Sequence, residues 1–226
     1  MTVEHALARR QSWGQMLGRL GDLLFSNALT DSVLREPSHR AALDKLGRVR
    51  ILMKKIGEIY QKNQINNIDL KVLETYIDSL LFLIRSTYDL SAQVLRKRVP
   101  NSITLPVSLA KIEKMLQSNT ISLPHTLDTL TPAHSGFKMI KTLRDEAKMG
   151  RAILSLYKKR ESIFIKVKTP QQKVILHQEL TTFLNWHLLW LHLSLSSFFI
   201  DLFGENLFNQ HVKIPRREFI KLVKNA

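Results

Sequence analysis

From Leu180 to Ile200 the chain carries no charged side chain, although its formal net charge is +15. Such a stretch is either a bilayer span or the central helix of a large buried core. Its polar residues decide between the two: Thr181, Thr182, Asn185, His187, His192, Ser194, Ser196 and Ser197 interrupt the Leu, Phe and Trp. A span needs about 20 predominantly apolar residues, and two His with an Asn near its middle are costly in hydrocarbon. The segment therefore reads as a helix surrounded by protein, and no membrane span is expected. With 226 residues, 44% of them hydrophobic, the chain has the apolar surface to build a sizeable core around it. Only 8 Gly and 7 Pro favour long regular elements over many short strands. The absence of Cys excludes a disulfide framework, thiolate metal sites and cysteine nucleophiles, and fits a reducing cytoplasm.

Helical spacing organises most of the rest. Residues 1–62 read as an N-terminal helical extension and 63–226 as a helical bundle domain. Met1 to Phe25 sets Arg9, Arg10 and Arg19 among Trp13, Met16, Leu17, Leu20, Leu23 and Leu24. That is a basic amphipathic helix suited to docking, without the cleavage site of a secretory signal. A second helix, His39 to Gln61, is expected to turn Leu43, Leu46, Ile51 and Ile56 inward, with Lys45, Arg48, Arg50, Lys54 and Lys55 outside. Asp69 is the expected N-cap of a third, Leu70 to Arg98. Its Leu73, Ile77, Leu80, Ile84, Tyr88, Ser91 and Leu95 recur at core spacing, and Arg85 and Asp89 are placed for an intrahelical ion pair. A short helix follows at Val107 to Leu116, then a long connection from Ser118 to Gly136.

Phe137 to Arg151 reads as a two-faced helix. Met139, Ile140, Leu143 and Ala147 point inward, while Lys138, Lys141 and Lys148, flanked by Arg144 and Arg151, point outward. The period then shortens. Ala152 to Tyr157 and Ser162 to Val167, joined through Lys158 to Glu161, predict a β-hairpin at about 152–168. Pro170 is expected to open the last long helix, Gln171 to about Phe203. The fold class is mainly α: a helical bundle with a small β-hairpin insertion before the last long helix.

The segment Ile140-Lys141-Thr142-Leu143-Arg144-Asp145-Glu146-Ala147-Lys148-Met149-Gly150 resembles the second motif helix of the higher eukaryotes and prokaryotes nucleotide-binding (HEPN) superfamily. There an Arg and a polar residue precede a His after three variable positions, often with a small residue next. Arg144, Asp145 and Gly150 match that frame, and the helix from Asp78 to Asp89 is similar to the one that precedes it. The resemblance covers roughly residues 68–203. It implies a homodimer whose cleft holds RNA, the Arg steadying the scissile phosphate and the His moving a proton without metal. Here the His position holds Met149, which cannot carry a proton. The resemblance then implies a degenerate, non-catalytic member that keeps a binding role.

Lys and Arg number 34 against 19 Asp and Glu, so the surface attracts polyanions, of which nucleic acid is the commonest. The candidate RNA contacts are Arg144, Lys141 and Lys148, with Lys158, Lys159 and Arg160 from the hairpin. The plainer reading of Arg144 is a structural pair with Asp78 or Asp89. His187 and His192 stand five apart with no Glu in a metalloprotease pattern, so they read as satisfied core histidines; no metal, cofactor or catalytic residue is expected. Two alternatives stay open. One is a metal-independent endoribonuclease using His125 or His134 as base, and the other is an immunity- or antitoxin-like module that binds an acidic protein.

Overall fold

The computed structural model describes residues 4–5, 7–12, 14–15, 37–98, 108–132, 135–148 and 153–203, with the backbone alone for 37–40, 43, 94–98, 144–148, 199, 202 and 203. The residues described between 4 and 15 are helical and form α1. The chain continues through α2 (Pro37–Tyr60), α3 (Asn67–Arg98), α4 (Leu109–Gln117), α5 (Pro124–Leu130) and α6 (Gly136–Lys148). Three strands follow, β1 (Ile153–Lys159), β2 (Ser162–Lys168) and β3 (Val174–Glu179), and then α7 (Leu180–Phe203). The fold is mainly α, with a small antiparallel sheet before the last long helix, as the periodicity predicts.

The charge-free segment becomes α7, and it is enclosed. Between Leu180 and Asp201 only Thr182 and Trp186 are exposed among the described residues. Helices α3, α5 and α6 and strands β2 and β3 pack around it. None of the helices is long and apolar enough to cross a membrane, among the described residues. The stripe on α3 is buried as its spacing requires: Leu73, Ile77, Leu80, Ile84, Tyr88 and Ser91 all face the core. From α2, Val49, Met53, Ile56 and Tyr60 enter the same core. Ile51, expected inside, is 60% exposed, because Val49 and Met53 occupy the buried face of that turn.

Three local expectations are corrected. The cap of α3 is Asn66, not Asp69: the Asp69 N–H donates to Asn66 Oδ1 (2.9 Å) and the Asn66 N–H to Asp69 Oδ2 (3.0 Å). That reciprocal exchange is a capping box, in which the acidic residue sits three positions inside the cap. The long connection after α4 contains α5, opened by Pro124. Pro170 does not open a helix. It sits second in a turn closed by the Gln172 N–H donating to Thr169 O (2.9 Å), after which Val174 to Glu179 form a third strand. A proline fixes φ near −65°, which suits the first turn of a helix and the second position of a β-turn alike, so its presence does not discriminate.

Several element ends are capped by residues far away in sequence. Arg10 is 4% exposed, and its guanidinium donates to Glu161 Oε2 (2.8 Å), Lys62 O (2.5 Å) and Asn63 O (3.0 Å). It thereby brings a cation to the carbonyl-rich end of α2 and anchors the β1–β2 turn. Gly14 permits this approach, since a Cβ there would lie 2.6 Å from Gly57 O. The N-terminal helix expected to dock on a partner thus has its Arg10 committed inside the fold. Asp201 of α7 accepts from the N–H groups of His125 (3.3 Å) and Thr126 (2.7 Å), supplying the N-terminal cap that α5 lacks locally. Glu74 accepts from the Leu156 N–H (2.8 Å) and so covers the free edge of β1.

Replacing Arg10 by Ala should lower unfolding free energy by about 3 kcal/mol in urea titrations, because a buried charged donor set is lost at once. Asp201→Ala should cost about 1–2 kcal/mol by the same measurement, the usual loss for a helix cap.

Candidate nucleic-acid interface

The sheet is ordered β1-β2-β3, antiparallel throughout. Register pairs Leu156 with Ile165, Tyr157 with Phe164, Lys159 with Ser162, Phe164 with Glu179, and Lys166 with His177. Alternation sends Leu156, Ile163, Ile165 and Val167 into the core. The opposite face carries Ser155, Tyr157 and Lys159 from β1, Ser162, Phe164, Lys166 and Lys168 from β2, and His177 and Glu179 from β3.

The hairpin turn gathers the three cations expected there. Lys158 is committed: its Nζ lies 3.2 Å from Glu161, the carboxylate that Arg10 also holds. Lys159 is exposed at the end of β1, and Arg160 is exposed in the turn with φ of 56°, a left-handed backbone that a long side chain adopts only under the constraint of the hairpin. Lys166 and Lys168 lie on the outer face of β2, with Lys168 donating to Gln172 Oε1 (3.0 Å). Lys159, Arg160 and Lys166 have no carboxylate partner among the described residues.

The helix expected to supply the other contacts is α6. It is capped by the buried Ser135, whose Oγ accepts from the Lys138 N–H (3.3 Å). Gly136 lies beneath Trp190, where a Cβ would meet the Trp190 side chain at 2.5 Å. Lys138, expected in the outer cationic row, instead pairs with buried Glu113 (3.3 Å) and donates to Thr131 O (2.5 Å), which ties α6 to α4 and α5. Lys141 is partly exposed. Arg144 and Lys148 have helical backbone, but their side chains lie outside the described residues, as do Met149, Arg151 and His134. Helix α6 and the sheet both pack on α3 and α7.

Arg85 and Asp89 form the expected pair (3.4 Å), but not as a surface contact: Arg85 is buried, with its guanidinium 4.9 Å from the centroid of Phe137. Phe137 in turn meets Tyr88 edge-on at 5.3 Å, joining α6 to α3. On the far side of the α2–α3 pair, Lys45, Arg48, Ile51 and Phe82 border an open groove, with the Lys45 ammonium 5.6 Å from the Phe82 ring. No group of three or more His, Asp or Glu among the described residues is arranged to hold a metal ion. Comparison with family models, with curated proteins and with solved structures finds no match.

Tyr157, Phe164 and His177 were absent from the sequence-based candidates. Their rings cluster with centroids 5.5–6.0 Å apart, and the Tyr157 hydroxyl hydrogen-bonds His177 Nε2. The signal was the two-residue period of β1 and β2, which sets Tyr157 in phase with Lys159 and Phe164 in phase with Lys166 and Lys168. The position of β3, and so of His177, carried no comparable signal.

His187 is buried in α7 with its ring edge-on to Phe183 at 4.3 Å, and neither nitrogen has a hydrogen-bond partner among the described residues. It is a core histidine, as read, but not a satisfied one. Burial holds its pKa down at about 3, against an ordinary 6.5. The unfolded chain therefore takes up this proton first, so stability is full above about pH 6.5 and falls as pH drops toward 3. Going from about pH 7 to about pH 5 should cost about 2 kcal/mol through this residue, and His187→Leu should flatten that part of a melting-temperature profile.

Proposed function

We propose that this protein is a non-catalytic RNA-binding helical protein that holds the phosphate backbone on the cations of its small sheet. The observation that carries this reading is the set Lys159, Arg160, Lys166 and Lys168, concentrated on one hairpin and, for the first three, without a carboxylate partner among the described residues. A net charge of +15 supplies the long-range attraction. Lys141, Arg144 and Lys148 extend the cationic set along α6 in sequence. The resemblance to the nucleotide-binding superfamily supports the same ligand class, and Met149 at its histidine position supports binding without cleavage. Lys158 is assigned to the fold, since Glu161 holds it.

The groove between α2 and α3 favours a second reading. Its apolar lining of Ile51, Leu52, Phe82 and Leu83, with Lys45 and Arg48 against the single carboxylate of Asp78, matches the chemistry of an acidic amphipathic helix from a partner protein.

A gel shift with mixed RNA separates these. Four phosphate contacts predict a salt slope near −3, so affinity should fall about 50-fold between about 50 and 200 mM salt. The RNA should remain intact. Affinity retained in high salt, or metal-independent cutting that Arg144→Ala abolishes, would overturn the proposal. Copurification with one acidic protein and no nucleic acid would favour the groove instead.

A further inference from the structure

We infer that the outer face of the sheet is a stacking platform for unpaired bases, so that the preferred ligand is a single strand rather than a duplex. This rests on the polyanion reading above and names the form of its ligand. An outer sheet face in water has no need of large aromatic rings, and this one gathers Tyr157, Phe164 and His177 into one cluster. Tyr157 and Phe164 stack on each other with their planes 16° apart, so a base can extend the stack on an outer ring face, and the hydrogen bond to His177 holds the Tyr157 ring in place.

A cross-strand aromatic pair also strengthens a hairpin, and that role alone would account for Tyr157 and Phe164. It does not account for what surrounds them. Lys166 and Lys168 follow Phe164 on the same face at steps of about 7 Å, and Lys159 lies beyond Tyr157. Glu179 is the only carboxylate in phase with them among the described strand residues. Two further apolar side chains, Ile153 (54% exposed) and Val174 (45% exposed), widen the platform beside Lys168.

A ligand that meets aromatic faces and a row of ammonium groups together must be anionic and carry exposed π surfaces. A single-stranded nucleic acid has both, whereas a duplex hides its base faces and offers phosphates alone. The same rings serve RNA and DNA, since every base has a π face.

The test uses the full chain and fluorescence anisotropy with labelled oligomers of about 15 nucleotides: single-stranded RNA, single-stranded DNA of the same sequence, and duplex RNA. Single strands should bind at least about 10-fold more tightly than duplex, and the RNA and DNA arms identify the sugar preferred. Phe164→Leu and Tyr157→Leu should each weaken single-strand binding by about 5- to 100-fold, without changing duplex affinity or the salt slope. Phe164→Trp, which keeps an aromatic face, should retain binding and so guards against a folding defect. Lys166→Gln should instead weaken both ligands and reduce the single-strand salt slope by about 0.7.

Equal affinity for single strand and duplex, with no effect of Phe164→Leu, overturns the platform while leaving the polyanion reading intact. Failure to bind any oligomer at low salt overturns both. A dimer that becomes a monomer on Phe164→Leu, with RNA affinity unchanged, would make this face a self-association surface and refute the inference.

Discussion

A helix without a charged side chain from Leu180 to Ile200 is poorly held by water, so nearly all of α7 is covered by protein, with only Thr182 and Trp186 exposed among its described residues. That requirement arranges the fold. Helices α3, α5 and α6 and strands β2 and β3 pack against it, and α2, α4 and β1 pack in turn on those elements. The cost appears inside. Asn185, His187, His192, Ser194 and Ser197 are buried along with the Leu and Phe, and His187 stays neutral because the core disfavours its charged form. These polar residues, which argue against a bilayer span in the sequence, become the polar content of a core.

A second layer of organisation lies at element ends, where unsatisfied backbone groups need partners. Arg10 reaches the carbonyls after α2, Asp201 the first N–H groups of α5, and Glu74 an edge N–H of β1. Each is a charged side chain serving a distant element, so each cap forms only when both elements are already in place. The same logic divides the cations. Arg10, Lys138, Lys158 and Arg85 are tied to carboxylates or carbonyls within the fold, whereas Lys159, Arg160 and Lys166 keep their charge toward solvent. Counting basic residues does not separate these two groups.

The candidate surface was legible in part. The hairpin, its turn and its basic residues follow from alternation and from Lys158 to Glu161 falling between two apolar runs. Which lysine is spent did not follow, because Glu161 is shared with Arg10 from the other end of the chain. The aromatic cluster was half visible: Tyr157 and Phe164 share a phase, but only pairing of β2 with β3 brings His177 beside them. Pro170 hid that third strand by fitting a helix start as well as it fits a turn.

What the sequence determined by itself is everything that depends on local period and charge: a mainly helical chain, the core stripe on α3, the burial of the charge-free helix and the existence of a basic hairpin. Those properties come from side chains a few residues apart and survive any arrangement of the elements. Tertiary structure decided the remote caps, the third strand, the exposure of Ile51 and the division of cations between fold and surface. Each depends on which groups meet across long loops, and the free energy of such a meeting has no counterpart in the spacing of neighbours.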